Sequence, residues 1–144
     1  MSAHAGSFTP LILPLSIAAS GVGAFVGGYS LMHPGGSAGL TGVSVDPTEP
    51  GGMRALGGAM LLGHAAALAT LAQSPAIGSC MAAGLGTAWL GAAAGRAISA
   101  VIERRRDPRA VLRILFEGLM GVLLWAPLWH YLRLIRYGQL RGAI

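Results

Sequence analysis

The chain has no lysine and no asparagine, a single cysteine, and only ten basic and five acidic side chains in 144 residues. Its charged share of 10% is under half of the roughly 25% usual in soluble domains. A soluble fold of this size covers a large surface with charge, and this composition would leave most of such a surface bare. The lone Cys80 excludes a disulfide scaffold, and 53% hydrophobic residues exclude a disordered chain. Catalytic signatures are missing as well. There is no phosphate-cradling glycine loop ending in Lys-Ser or Lys-Thr, no Cys-x-x-Cys pair and no His-Glu-x-x-His helix. Gly21-Val22-Gly23 sits inside an apolar run and is no dinucleotide motif, while His4, His33 and His130 lack metal-ligand spacing. The expectation is a protein that is not an enzyme and has no metal or cofactor of its own.

What the chain does have is apolar length, with glycine frequent at 23 residues and every base an arginine. About 20 consecutive apolar residues are needed to cross a hydrocarbon core of about 30 Å, because lipid leaves no unpaired backbone group satisfied. Four stretches qualify, predicting helices over about 8–32, 53–71, 76–102 and 111–132, with a basic loop 103–110 and a basic tail 133–144. The first seven residues carry no Lys or Arg, so the first stretch is read as an uncleaved helix rather than a signal peptide. The short turn Gln73-Ser74-Pro75 makes its flanking helices antiparallel neighbours, and Pro127 is expected to bend the fourth helix. The resulting fold class is an all-α integral membrane bundle of four antiparallel transmembrane helices in one domain, 1–144.

Orientation follows from the arginines. Arg104, Arg105, Arg106 and Arg109, with Arg113 just beyond, outnumber Arg133, Arg136 and Arg141 of the tail. The positive-inside rule then favours the third loop as cytoplasmic, with both termini outside, on a margin of five arginines to three, and the mirror-image topology is the alternative. In a short loop between membrane helices this cluster reads as a topology anchor and a contact for membrane lipids, with no nucleic acid as partner. Trp125, Trp129 and Tyr131 read as an interfacial belt.

Inside lipid the informative residues are ionisable, since a charge at mid-bilayer costs about 2.5 to 3.5 kcal/mol. Arg54 begins the second helix, Arg96 lies near the end of the third, and Glu117 lies in the second turn of the fourth. At 1.5 Å per residue the last two sit roughly 9 Å below the boundary, and alternating helix direction brings all three to one side. They form a candidate intramembrane polar cluster: either a pocket for an anionic group held by guanidinium forks, or a structural ion-pair lock, with Arg113 an alternative partner for Glu117. His64 lies near the midplane and is read as a neutral histidine bonded to a neighbouring helix, with Thr87 and Ser20 the polar residues at its depth. Small residues at intervals of four, Ala83, Thr87, Gly91 and Gly95 in helix three and Gly23 and Gly27 in helix one, mark close helix packing.

The stretch Glu49-Pro50-Gly51-Gly52-Met53-Arg54-Ala55-Leu56-Gly57-Gly58, then Gly95-Arg96-Ala97-Ile98-Ser99, then Glu117, resembles the small bacterial membrane proteins of the domain of unknown function 4345 family. The resemblance covers nearly the whole chain and implies that Arg54, Gly57, Gly58, Gly95, Arg96 and Glu117 are its recurring residues. It implies an architecture in a bacterial cytoplasmic membrane without a reaction. The basic tail is longer than the resemblance leads one to expect. Small-residue helix faces and the lack of a sizeable extramembrane segment suggest a structural or accessory protein, self-associating or packed against a larger membrane complex. The alternative is a small carrier or binding protein for an anionic solute or lipid headgroup.

Overall fold

The computed structural model describes residues 9–36, 50–104 and 107–142. Four long helices make up nearly all of them: α1 Thr9–Met32, α2 Gly51–Gln73, α3 Pro75–Ile102 and α4 Pro108–Gly142. Each contains a segment long and apolar enough to cross a membrane, so the all-helical architecture is the expected one.

Local chemistry sets the helix ends. Ser74 is extended (φ −144°, ψ 90°) between α2 and α3, and Pro75 opens α3 at a position where its missing N–H costs nothing. At the other end of α3, Arg104 takes a left-handed φ of 51°, which stops the helix. Asp107 then caps α4, its Oδ1 accepting the Arg109 backbone N–H at 3.0 Å, with Pro108 as the first helical residue. The fourth helix is therefore longer than expected at both ends: it starts three residues early and absorbs the basic tail as far as Gly142. Hydropathy marks where lipid stops, whereas Arg, Leu, Ile and Gln beyond Leu132 remain good helix formers. At 35 residues α4 is about 52 Å long, and its last turns project beyond a 30 Å core.

Contacts run in opposite directions along each neighbouring pair. On α1 and α2, Gly23 meets His64 and Gly27 meets Gly57 and Leu61; on α2 and α3, Trp89 reaches His64 while Gly78 abuts Leu71; on α3 and α4, Gly86 meets Leu124 and Arg96 meets Glu117. The bundle is thus antiparallel throughout, with α1 closing it against α4. Two glycine pairs set the crossings. A Cβ on Gly57 would lie 2.8 Å from the Gly27 carbonyl oxygen, and one on Gly86 would lie 2.8 Å from that of Gly121, so in both pairs backbone rests on backbone.

Pro127 lies inside α4, which continues through it. Proline has no N–H to give the carbonyl four residues back, and that carbonyl belongs to Leu123. Ser16 of α1 supplies the missing donor: its Oγ lies 2.5 Å from the Leu123 oxygen and 3.0 Å from its own Ile12 oxygen. The core is a small set of apolar side chains from all four helices, Ala19, Leu71, Ala82, Met120 and Leu124. Buried with them are polar residues, Ser16, Ser20, Ser30, His64, Ser79 and Glu117, while Phe25 and Leu62 are 70% and 71% exposed. Polar side chains inside and large apolar ones outside suit a lipid surround.

Candidate functional site

Near the loop end of the bundle, the turn after α3 and the cap of α4 bring Arg96 and Glu117 to the same depth. Arg96 Nε donates to both carboxylate oxygens of Glu117, at 2.7 Å to Oε1 and 2.9 Å to Oε2. The acid is nearly buried, its side chain 7% exposed, and the arginine is more open at 27%. Glu117 thus bonds across the helices to Arg96, and Arg113 instead lines an adjoining cavity. Arg54 stands apart. It is exposed in the first turn of α2 and lines neither cavity described below. Depth along a helix is readable from residue count, but the direction in which a side chain leaves the helix is not, and that direction separates Arg54 from the other two. Asp46 and Glu49, which precede it in the chain, lie outside the described residues, as do Arg105 and Arg106; Arg104 is exposed in the α3–α4 turn and Arg109 in the first turn of α4.

Two cavities meet at Arg96. The first, about 290 Å³, is a cleft between α2 and α3 with apolar walls that include Leu56, Met60, Leu85, Trp89 and Phe116, with His64 at depth and Arg96 at its upper edge. The Trp89 indole of α3 bridges to α2 across this cleft. That indole Nε1–H donates to His64 Nε2 at 3.0 Å. His64 Nδ1 lies 2.8 Å from the Met60 carbonyl oxygen, so the ring is the Nδ1–H tautomer, donating down its own helix and accepting across to α3. Trp89 in turn packs edge-on against Phe116, ring centroids 5.8 Å apart. A Cβ on Gly23 would fall within the imidazole, so only glycine lets the ring lie against α1. The partner of His64 is therefore Trp89, not Thr87 or Ser20. An indole counts as apolar in a hydropathy reading, and its one donor shows only when a buried acceptor stands at the same depth.

The second cavity, about 450 Å³, is a bowl at the α3–α4 turn lined by Arg96, Ser99, Glu103, Asp107 and Arg113, with Ala92 and Gly95 in its wall. Ala92 and Arg96 line both cavities, so cleft and bowl adjoin there.

The glycines expected to pack helices divide. Gly57 forms the α1–α2 crossing, and Gly58 has a Leu31 methyl at ordinary contact distance, 3.9 Å. Gly91 and Gly95 have nothing within 4 Å of a would-be Cβ and are exposed, because the face of α3 that meets α4 runs through Gly86. Thr87 is bonded by the Trp125 indole at 2.9 Å, so Trp125 turns back toward α3, leaving Trp129 and Tyr131 as the exposed members of the expected belt, with Arg133 over the Trp129 ring at 5.9 Å.

Four apolar antiparallel helices, each long enough to cross a bilayer, with polar residues and an ion pair turned inward, define a small polytopic membrane protein. A family model, the domain of unknown function DUF4345, matches residues 10–128, and the chain belongs to this family. No curated protein and no solved structure matches it.

Proposed function

We propose that the protein is a binding protein rather than an enzyme, and that it holds an amphiphile with its apolar part in the α2–α3 cleft and its polar group at Arg96. The observation that carries this reading is the junction at Ala92 and Arg96 between an apolar cleft and a charged bowl. A structural ion-pair lock needs only the Arg96–Glu117 bond, and it leaves both cavities without a purpose. The setting we propose is a bacterial cytoplasmic membrane, where lipids are the abundant amphiphiles.

The test is native mass spectrometry of the chain released from bacterial membranes in mild detergent. Ala92→Trp fills the junction while keeping both residues of the ion pair, and Leu62→Trp, on an exposed face of α2, controls for added bulk. Amphiphile adducts are expected on the wild type and on the Leu62 variant and lost from Ala92→Trp. Equal adducts on all three would sink the proposal.

A second reading, an accessory subunit packed against a larger complex, is favoured by a different observation. The exposed face of α3 carries Gly84 and Gly91, neither with an atom of another helix within 4 Å of a would-be Cβ among the described residues, the kind of smooth surface that helices in lipid use to approach one another.

A further inference from the structure

We infer that a third cavity, toward the opposite end of the bundle and independent of the cleft, is a site for an anionic phospholipid, with an acyl chain in an apolar groove and the phosphate at Arg133, His130 and Trp129. The groove encloses about 480 Å³ between α1, α3 and α4, and its apolar walls include Ile12, Leu90, Val122 and Ala126. Contacts fix its order. Leu90 packs against Gly121 at the deep end, and the Ser16 bond to the Leu123 carbonyl lays α1 alongside. From Val122 the lining climbs α4 through Trp125, Ala126 and Trp129 to His130 and Arg133. Val122 to Arg133 is about 16 Å of helix, close to one leaflet of a core of about 30 Å.

The outer end of the groove has donors and no anion. Arg133 lies over the Trp129 ring, 5.9 Å from its centroid, which holds the guanidinium at the groove's mouth. Among the described residues Arg133 meets no carboxylate, and neither the His130 ring nor the Trp129 indole N–H has a hydrogen-bond partner. The chain cannot supply the missing acid. Glu117 is bonded to Arg96, and Glu103 and Asp107 stand at the α3–α4 turn, all at the other end. Asp46 and Glu49 precede α2, which starts at that same end; four residues from Asp46 to Pro50 reach about 14 Å at most, against about 34 Å along α2. Every charged side chain after Glu117 is positive: Arg133, Arg136 and Arg141. The neutralising charge therefore comes from outside the chain, and what presents a phosphate above a hydrocarbon tail in a membrane is a phospholipid. An arginine that only snorkels to water needs no groove beneath it. A zwitterionic headgroup fits less well, since its ammonium meets no carboxylate here and the Trp129 face already carries Arg133.

The groove opens along the lipid-facing surface, with Val122 58% and Trp129 60% exposed, so its occupant exchanges with the bilayer and is read there rather than after detergent extraction. The full chain is reconstituted in phosphocholine bilayers at physiological salt, and its tryptophan fluorescence is quenched by phosphoglycerol or phosphocholine lipid with brominated acyl chains. Trp89→Phe removes the indole of the α2–α3 cleft and leaves Trp125 and Trp129, both in the groove. Phosphoglycerol lipid is expected to quench with an apparent affinity about fivefold above phosphocholine lipid, the effect of one arginine at a lipid surface. Arg133→Gln should bring this ratio to about one. Arg136→Gln, exposed one turn further out and not in the lining, should leave it unchanged. The same ratios in the wild-type background decide the matter if Trp89→Phe does not fold. Equal quenching by the two lipids overturns the proposal, and so does an equal loss in the Arg133 and Arg136 variants, which assigns the preference to the summed charge of the tail. Protection of both indoles from either lipid, together with dimerisation, gives the groove to a second copy of the chain instead. Soluble glycerol phosphate that abolishes the preference as effectively as unbrominated phosphoglycerol lipid overturns the union of tail groove and phosphate site.

Discussion

Ser16 is the residue whose role is least visible in the chain. It is one serine among several in an apolar helix, and it matters because Pro127, far along the chain in α4, strips Leu123 of its backbone partner. The pair should behave as a unit. Ser16→Ala should cost about 1 kcal/mol, Pro127→Ala alone should be near neutral, and Ser16→Ala in the Pro127→Ala background should cost much less, since an alanine in place of the proline returns an N–H to Leu123. Thermal unfolding in one detergent gives the cycle, and strictly additive effects would show that the hydroxyl does not serve that carbonyl. Glu117 and Arg96 were legible beforehand because burying charge in lipid is expensive and residue count supplies their depth. Arg54 carries the same signal and points elsewhere, since count says nothing of the direction in which a side chain leaves its helix. Trp89 carries no such signal, because its donor becomes informative only against the buried His64 acceptor.

At the scale of the helix, glycine has two meanings here that spacing alone cannot separate. Gly27, Gly57, Gly86 and Gly121 sit where backbones touch, while Gly91 faces outward and Gly95 borders the open bowl, both with space for a side chain. Alanine at Gly27, Gly57 or Gly86 must push two helices apart, at a cost of about 1–3 kcal/mol. Alanine at Gly91 or Gly95 meets nothing and gains helix propensity, so it should leave the melting temperature unchanged or raise it. Circular dichroism melts of the five single variants check this, and comparable losses at Gly91 and Gly86 would contradict the crossing geometry. The span boundaries were readable from hydropathy, and the extra turns of α4 were not, because the end of lipid and the end of a helix obey different chemistry.

For the molecule as a whole, the open question is what meets the outward face of α3. If it serves as an accessory subunit, the wild-type chain should co-migrate with a larger complex when membranes are gently solubilised, and Gly84→Leu/Gly91→Leu should release it as a monomer that still melts cooperatively. Migration of the wild type only as a free monomer would rule this version out and leave lipid binding as the surviving reading. Apolar length and charge scarcity are properties of the chain alone, so the solvent, the four spans and the depth of each costly residue were legible without coordinates. Which of those side chains meet, which glycines touch and where an apolar cleft runs into a charged bowl depend on how the helices are rotated about their axes, and that is settled only by their packing. In a helix apolar on nearly every face, the sequence pattern leaves that rotation open.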